Sequence, residues 1–227
     1  MKTSDFARLQ KKLLPHLFPR LIVKGSFCYL PQITDTLKGF YFESSAFSPK
    51  HFYVTAFFLP LWIPAEYIHL TFGRRVGVNQ RWSSDQLDLE NALLIAMRRE
   101  LSILAELDSP AQLLSALEVF ARESNPHCIE ALAYGLFEMG QVDRSQEVLK
   151  SLLTLIDRTV PWQQEIAERA TLISSFLPTG IEEVKRRLTK WRTETISALG
   201  LEKPDSDSIS TLDSPAGKTT PPTASGG

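Results

Sequence analysis

The 227-residue chain predicts an α+β protein on three observations. The first third is rich in aromatic and β-branched residues that alternate with a period of two. From Ser83 onward the apolar residues recur at helical spacing. The charge changes sign at the same boundary: residues 1–82 carry eleven Lys and Arg against four Asp and Glu, a net of +7, whereas residues 83–202 carry twelve against nineteen, a net of −7. The expected organisation is a helix-plus-antiparallel-sheet module over 1–82, an all-helical module over 83–202 and a disordered tail over 203–227. Modules of opposite sign are expected to dock on each other, which consumes charge that would otherwise point to nucleic acid.

Thr3 or Ser4 is positioned to cap a first helix whose Phe6, Leu9, Leu13 and Leu17 share one face. Short β-like runs follow at Leu21–Val23 and Phe27–Leu30 around Gly25, then longer ones at Gly39–Phe47, His51–Trp62 and Tyr67–Phe72, separated by Ser48-Pro49 and by Pro60 to Pro64. These read as a meander of four or five strands. Its core face is expected to carry Phe40, Phe42, Phe52, Val54, Ala56, Phe58, Ile68, Leu70 and Phe72, covered by the first helix, because a small sheet needs a second layer. Ser83 or Ser84 is the expected cap of a long helix through Leu87 to Leu104. Ser109-Pro110-Ala111-Gln112 and Asn125-Pro126 are cap-plus-proline starts. Gly140 stops the second of these helices, and Asp143–Asp157 forms the next. Pro161 opens another, and Thr179 caps a last one that Gly200 ends. In the tail, sixteen of 25 residues are Ser, Thr, Pro or Gly, too few apolar groups to offset chain entropy.

Hydrophobic content of 43% and charged content of 22% fit a soluble globular protein. The mixed polar start, Met1 to Lys12, lacks the apolar run of a secretory leader. The longest apolar stretch, Phe52 to Ile63, falls short of the ~20 residues a spanning helix needs. The expectation is a cytoplasmic protein without a membrane partner. Cys28 and Cys128, a hundred residues apart, fit no zinc spacing and read as buried thiols.

Strand alternation puts Tyr41, Glu43, His51, Tyr53, Thr55, Tyr67, His69 and Thr71 on the sheet face opposite the core. Tyrosines with polar tips suit recognition. Tyr41, Glu43, His51, Tyr53, Tyr67 and His69, joined by Arg74 and Arg75, are therefore the candidate partner-binding residues. Two alternatives stand beside this reading: a structural or interdomain face, and a small hydrolase or metal-dependent site built from Glu43, His51 and His69. The basic stretch Gly73 to Trp82 could take a phosphate or stack a base, with Arg74, Arg75, Arg81 and Lys24 as contacts. A solvated turn paired with acids of the helical half explains it as well. Lys185, Arg186, Arg187, Lys190 and Arg192 follow Glu182 and Glu183 as a laced helix face. His16 and His127, at a helix end and a helix start, read as structural. No nucleophile elbow, HExxH or dinucleotide fingerprint occurs, so no catalytic residue, metal or cofactor is assigned.

The stretch from Ala131 to Leu152 resembles a tetratricopeptide repeat, within a helix pair over about 126–157. Gly140 stands between the helices, Ser145 takes the small position where they touch, and Leu149 and Leu152 take later core positions. The resemblance implies protein or peptide binding without chemistry. The flanking pairs, 84–123 and 161–199, have similar length but not the motif. The layout of a basic helix followed by an aromatic meander with one polar face also resembles small bacterial immunity-type α+β proteins, which bind and block a partner toxin; no motif carries that likeness. The expected role is non-enzymatic protein binding, as an adaptor or immunity-type inhibitor, with another protein or peptide as partner; a nucleic-acid-binding module is the further alternative.

Overall fold

A computed structural model describes residues 3–77, 81–122 and 124–201. Helix α1 (Thr3–Leu13) leads into an antiparallel sheet of β1 (Ile22–Lys24), β2 (Phe27–Tyr29), β3 (Thr36–Ser44), β4 (His51–Pro60), β5 (Gly73–Arg75) and β6 (Trp82–Ser83). Six helices follow: α2 (Leu89–Glu106), α3 (Pro110–Ala121), α4 (Pro126–Glu138), α5 (Val142–Leu155), α6 (Pro161–Phe176) and α7 (Ile181–Ala198). The fold is α+β, as expected. The side chains that would cap α1, and the tail from Glu202, lie outside the described residues. No helix among those described is long and apolar enough to cross a membrane.

The strands pair in the order β1-β2-β3-β4-β5, with β6 added to the start of β4. Pairing of Phe42 with Val54 and Phe40 with Ala56 sets the register and sends Phe40, Phe42, Phe52, Val54, Ala56 and Phe58 to one face. Helix α1 lays Phe6 on that face, its ring 6.1 Å from Phe42 and 5.8 Å from Phe52. Helix α2 adds Leu93, Met97, Leu101 and Leu104, and the same apolar cluster continues through Leu117, Tyr134, Leu152 and Ile173. One core therefore draws on both sides of the 82/83 boundary.

Gly39 is where this sheet tolerates no side chain. A Cβ there would lie 2.0 Å from the Cys28 carbonyl oxygen, because β2 runs across it at backbone distance. Gly39→Ala is expected to force the strands apart and cost about 3 kcal/mol, at the upper end for overpacking. Urea unfolding of the variant measures this, and an unchanged midpoint would contradict the close approach.

The first departure from expectation is Tyr67–Phe72, which is not a strand. Residues 61–72 form an arch over the sheet edge, and the pairing place on β4 goes to β5, with Ala56 opposite Arg74. The arch feeds two cores at once: Trp62, Ile63 and Phe72 enter the first, while Leu61, Ala65, Ile68 and Leu70 enter a second. A flat strand cannot serve both. Ile68 and Leu70 are accordingly on the opposite side from the core face expected for them. That second core covers part of the other sheet face, where Ile196, Leu199 and Leu201 at the end of α7 pack on Tyr29, Leu37, Phe57 and Leu59.

Other boundaries shift for local reasons. Ser83 and Ser84 do not cap α2, because Trp82 pairs with Phe52 and buries its indole; Asp88 is the cap residue. Thr179 turns its hydroxyl back to the Phe176 carbonyl at 2.6 Å, leaving Gly180 to start α7. The proline starts at 110, 126 and 161 stand as read. Ser109 makes no side-chain cap bond, whereas Asn125 accepts one from the His127 amide. Gly140, at φ 72°, closes α4: its amide reaches the Phe137 carbonyl and the Gln141 amide that of Leu136, the bonding of a Schellman stop. Across this turn Ser145, fully buried, donates to the Ala133 carbonyl at 2.5 Å and holds α5 on α4.

Part of the charge split is consumed inside the molecule. Lys12 meets Glu90, Lys38 meets Asp108, Lys50 meets Asp85 and Arg74 meets Glu100, each pair joining the basic part to the acidic one. Arg192 returns the favour from α7, 2.6 Å from Asp35.

Candidate functional site

One row of paired residues crosses four strands: Phe27 on β2, Tyr41 on β3, Thr55 on β4 and Arg75 on β5. Glu43 and Tyr53 form the next pair along the same face. Arg75 organises this end, with its guanidinium 3.0 Å from Glu43, 3.2 Å from Thr55 and 4.1 Å above the Tyr53 ring. These groups satisfy one another and form a closed polar patch. Tyr41, half-buried, packs against the second core instead. Arg74 differs from the expectation, because the next residue along a strand points to the opposite face. It pairs with Glu100 of α2, 2.5 Å away, on the helical side of the sheet. Both arginines sit in β5 rather than in a linker, and Val78–Gln80 lie outside the described residues. The Lys185–Arg187 run is a laced helix face as read, with Lys185 near Glu182 and Arg186 on Glu183.

Glu43, His51 and His69 occupy separate settings. Glu43 is held by Arg75, and His51 begins β4 beside the Lys50–Asp85 pair. His69 is drawn away by the arch: its Nδ1 lies 3.1 Å from the Thr71 hydroxyl and its ring stacks on His127 at 5.9 Å. Among the described residues, no group of three His, Cys, Asp or Glu side chains is placed to hold a metal. Cys28 and Cys128 are buried outside any disulfide, and burial pushes the Cys28 thiol up to about 12, far from a reactive thiolate.

The contact of His69 with His127 opens onto a cleft that sequence reasoning missed. It holds about 560 Å³ between the arch, the starts of α4 and α6, and the end of α7. His127 continues the stack to Trp162, whose ring lies 4.9 Å away and within 12° of parallel. The three rings form one continuous stack, and Trp162, which ends it, is 41% exposed. Burial, and then the neighbouring His127, lower the pKa of His69 to about 4. Burial also lowers His127, against the opposing charge of Glu130. Both rings are therefore neutral at pH 7, which suits stacking.

Behind this stack Glu130 is fully buried in α4 and takes both guanidinium hydrogen bonds of Arg169 from α6, at 2.7 and 2.9 Å. Burial would pull Arg169 down, but the Glu130 hydrogen bonds and charge raise it overall. Burial, and then the Glu130 charge, drive the Tyr134 hydroxyl well above its ordinary value. The arch is fastened over the cleft by Thr195 of α7, whose hydroxyl donates to the Ile63 carbonyl and accepts from the Ala65 amide at 3.1 and 3.3 Å.

On the far side of the arch a second depression of about 500 Å³ is floored by Phe27, Tyr41, Ile68 and Leu199. Glu66, Tyr67 and Ala198 line both depressions. Tyr67, 74% exposed, thus stands as a ridge between an apolar lobe and the aromatic cleft. Set against family models, curated proteins and solved structures, the chain matches none of them.

Proposed function

We propose that the protein is a non-enzymatic binding protein of the cytoplasm, an adaptor or immunity-type inhibitor, that recognises a segment of another protein across the two lobes flanking Tyr67. The observation that carries this reading is Tyr67 itself, a large ring left 74% exposed between two depressions with aromatic and apolar linings. Tyrosines at the centre of such a surface supply contact area and a polar tip at low entropic cost. Of the sheet-face residues, Tyr41, Tyr67 and His69 belong to this surface, while Glu43, Tyr53 and Arg75 form the polar patch further along the sheet. The closely joined α4–α5 pair supports the tetratricopeptide likeness, and through it the binding role. Reduced, buried cysteines suit a reducing compartment.

Affinity capture from native lysate with the full chain and with Tyr67→Ala, quantified by mass spectrometry, tests the reading. A partner held by the wild type is expected to weaken about 30-fold in the variant, the scale of a central tyrosine anchor. Equal recovery by both proteins would overturn it.

A further inference from the structure

Resting on that binding reading, we infer that the partner inserts a cationic side chain, arginine above all, into the cleft walled by His69, His127 and Trp162, and seats an apolar side chain in the lobe across Tyr67. The three rings form a stack, with neighbouring centroids 5.9 and 4.9 Å apart and the exposed Trp162 at its end. A guanidinium extends such a stack by lying face to face on its end ring, and keeps its edge free for carboxylates.

The carboxylates are in place. Glu66, Glu165 and Glu194 line the cleft, all exposed. The cation lining it, Arg169, has turned its guanidinium to Glu130, so Glu165 feels it only at a distance. Lys190 lies 3.7 Å from Glu194, with both side chains more than half exposed, and such a surface pair yields readily to a better one. The cleft is thus a negative rim around an aromatic wall, complementary to a positive side chain and hostile to phosphate. The neighbouring lobe differs in kind. Its lining is mostly apolar, and its one lysine, Lys24, is committed to the Gly200 carbonyl at 2.5 Å. A chain segment draped over Tyr67 therefore meets Glu165 and Glu194 on one side and the Phe27, Ile68 and Leu199 floor on the other, with Glu66 shared between them, which defines a basic residue close to an apolar one.

Selection of a phage library of short random peptides against the immobilised full chain tests this. Clones enriched in arginine or lysine near an apolar residue are expected. A synthetic copy of the leading clone should lose about tenfold or more in affinity for a Glu165→Gln/Glu194→Gln variant and keep its affinity for Glu43→Gln. Both replaced glutamates are exposed, so the variant keeps its thermal midpoint. Clones that fail on Tyr67→Ala but carry no basic residue, or ignore the two glutamine replacements, would overturn the cationic inference and leave the binding reading standing. A library that returns no clone dependent on Tyr67 would overturn both.

Discussion

Replacing Arg169 with alanine is expected to cost about 3–5 kcal/mol of stability, because it leaves the Glu130 carboxylate buried without its counter-charge. Glu130 is fully enclosed in α4, and both of its oxygens are occupied by the Arg169 guanidinium. Removing the acid as well should recover much of the loss: a Glu130→Gln/Arg169→Met double variant keeps the volume and removes both charges, so it should lie closer to the wild type than Arg169→Ala does. Urea unfolding of the three proteins reads the order directly. If Arg169→Ala unfolds at the wild-type midpoint, the pair is not the anchor between α4 and α6 that its geometry implies. Because the pair backs the aromatic wall, the same substitution should also loosen the seating of His127 on Trp162.

Acidification is the second large effect. His69 has a folded pKa of about 4 against an ordinary 6.5, chiefly because the arch buries it, and then because of the neighbouring His127. Between those values the unfolded chain takes up a proton that the folded protein refuses, so stability falls as the pH drops from about 6.5 toward 4. The full shift corresponds to about 3 kcal/mol. His127, also lowered by burial, acts in the same direction. Glu138, raised by burial, acts in the opposite one, since its folded form holds a proton that the unfolded form has released. Comparing wild type with His69→Gln removes that background. The difference in unfolding free energy between the two proteins should change by about 2–3 kcal/mol from pH 7 to pH 4, with the wild type losing more. Parallel curves would mean that His69 is freely solvated.

The first sheet face was legible because alternation is a local property: Phe40 and Phe42 on one strand and Phe52, Val54, Ala56 and Phe58 on the next carry the period themselves. Prolines at 110, 126 and 161 likewise announce their helices without help from the rest of the chain. What escaped was set by distant partners. Tyr67–Phe72 has strand-like composition, yet the end of α7, more than a hundred residues later, offers Ile68 and Leu70 a second core. His127 looks structural alone, and becomes part of a wall only when folding brings His69 and Trp162 against it. One signal was available. Glu130 and Tyr134 stand four residues apart among the apolar positions of α4, and a carboxylate on such a face demands a buried cation. Which cation it would be, Arg169 of α6, is a tertiary fact. Charge complementarity between the halves was readable as a sum, but its individual pairs, such as Lys12 with Glu90, were not.

Hydrogen exchange on the captured complex tests the central claim most directly. If Tyr67 is the ridge of the binding surface, partner binding should slow exchange in the arch at residues 63–69, at the start of α6 and at the end of α7, and leave α1 and α3 as they are in the free protein. Protection centred on α1 or α3, with the arch unchanged, would contradict it.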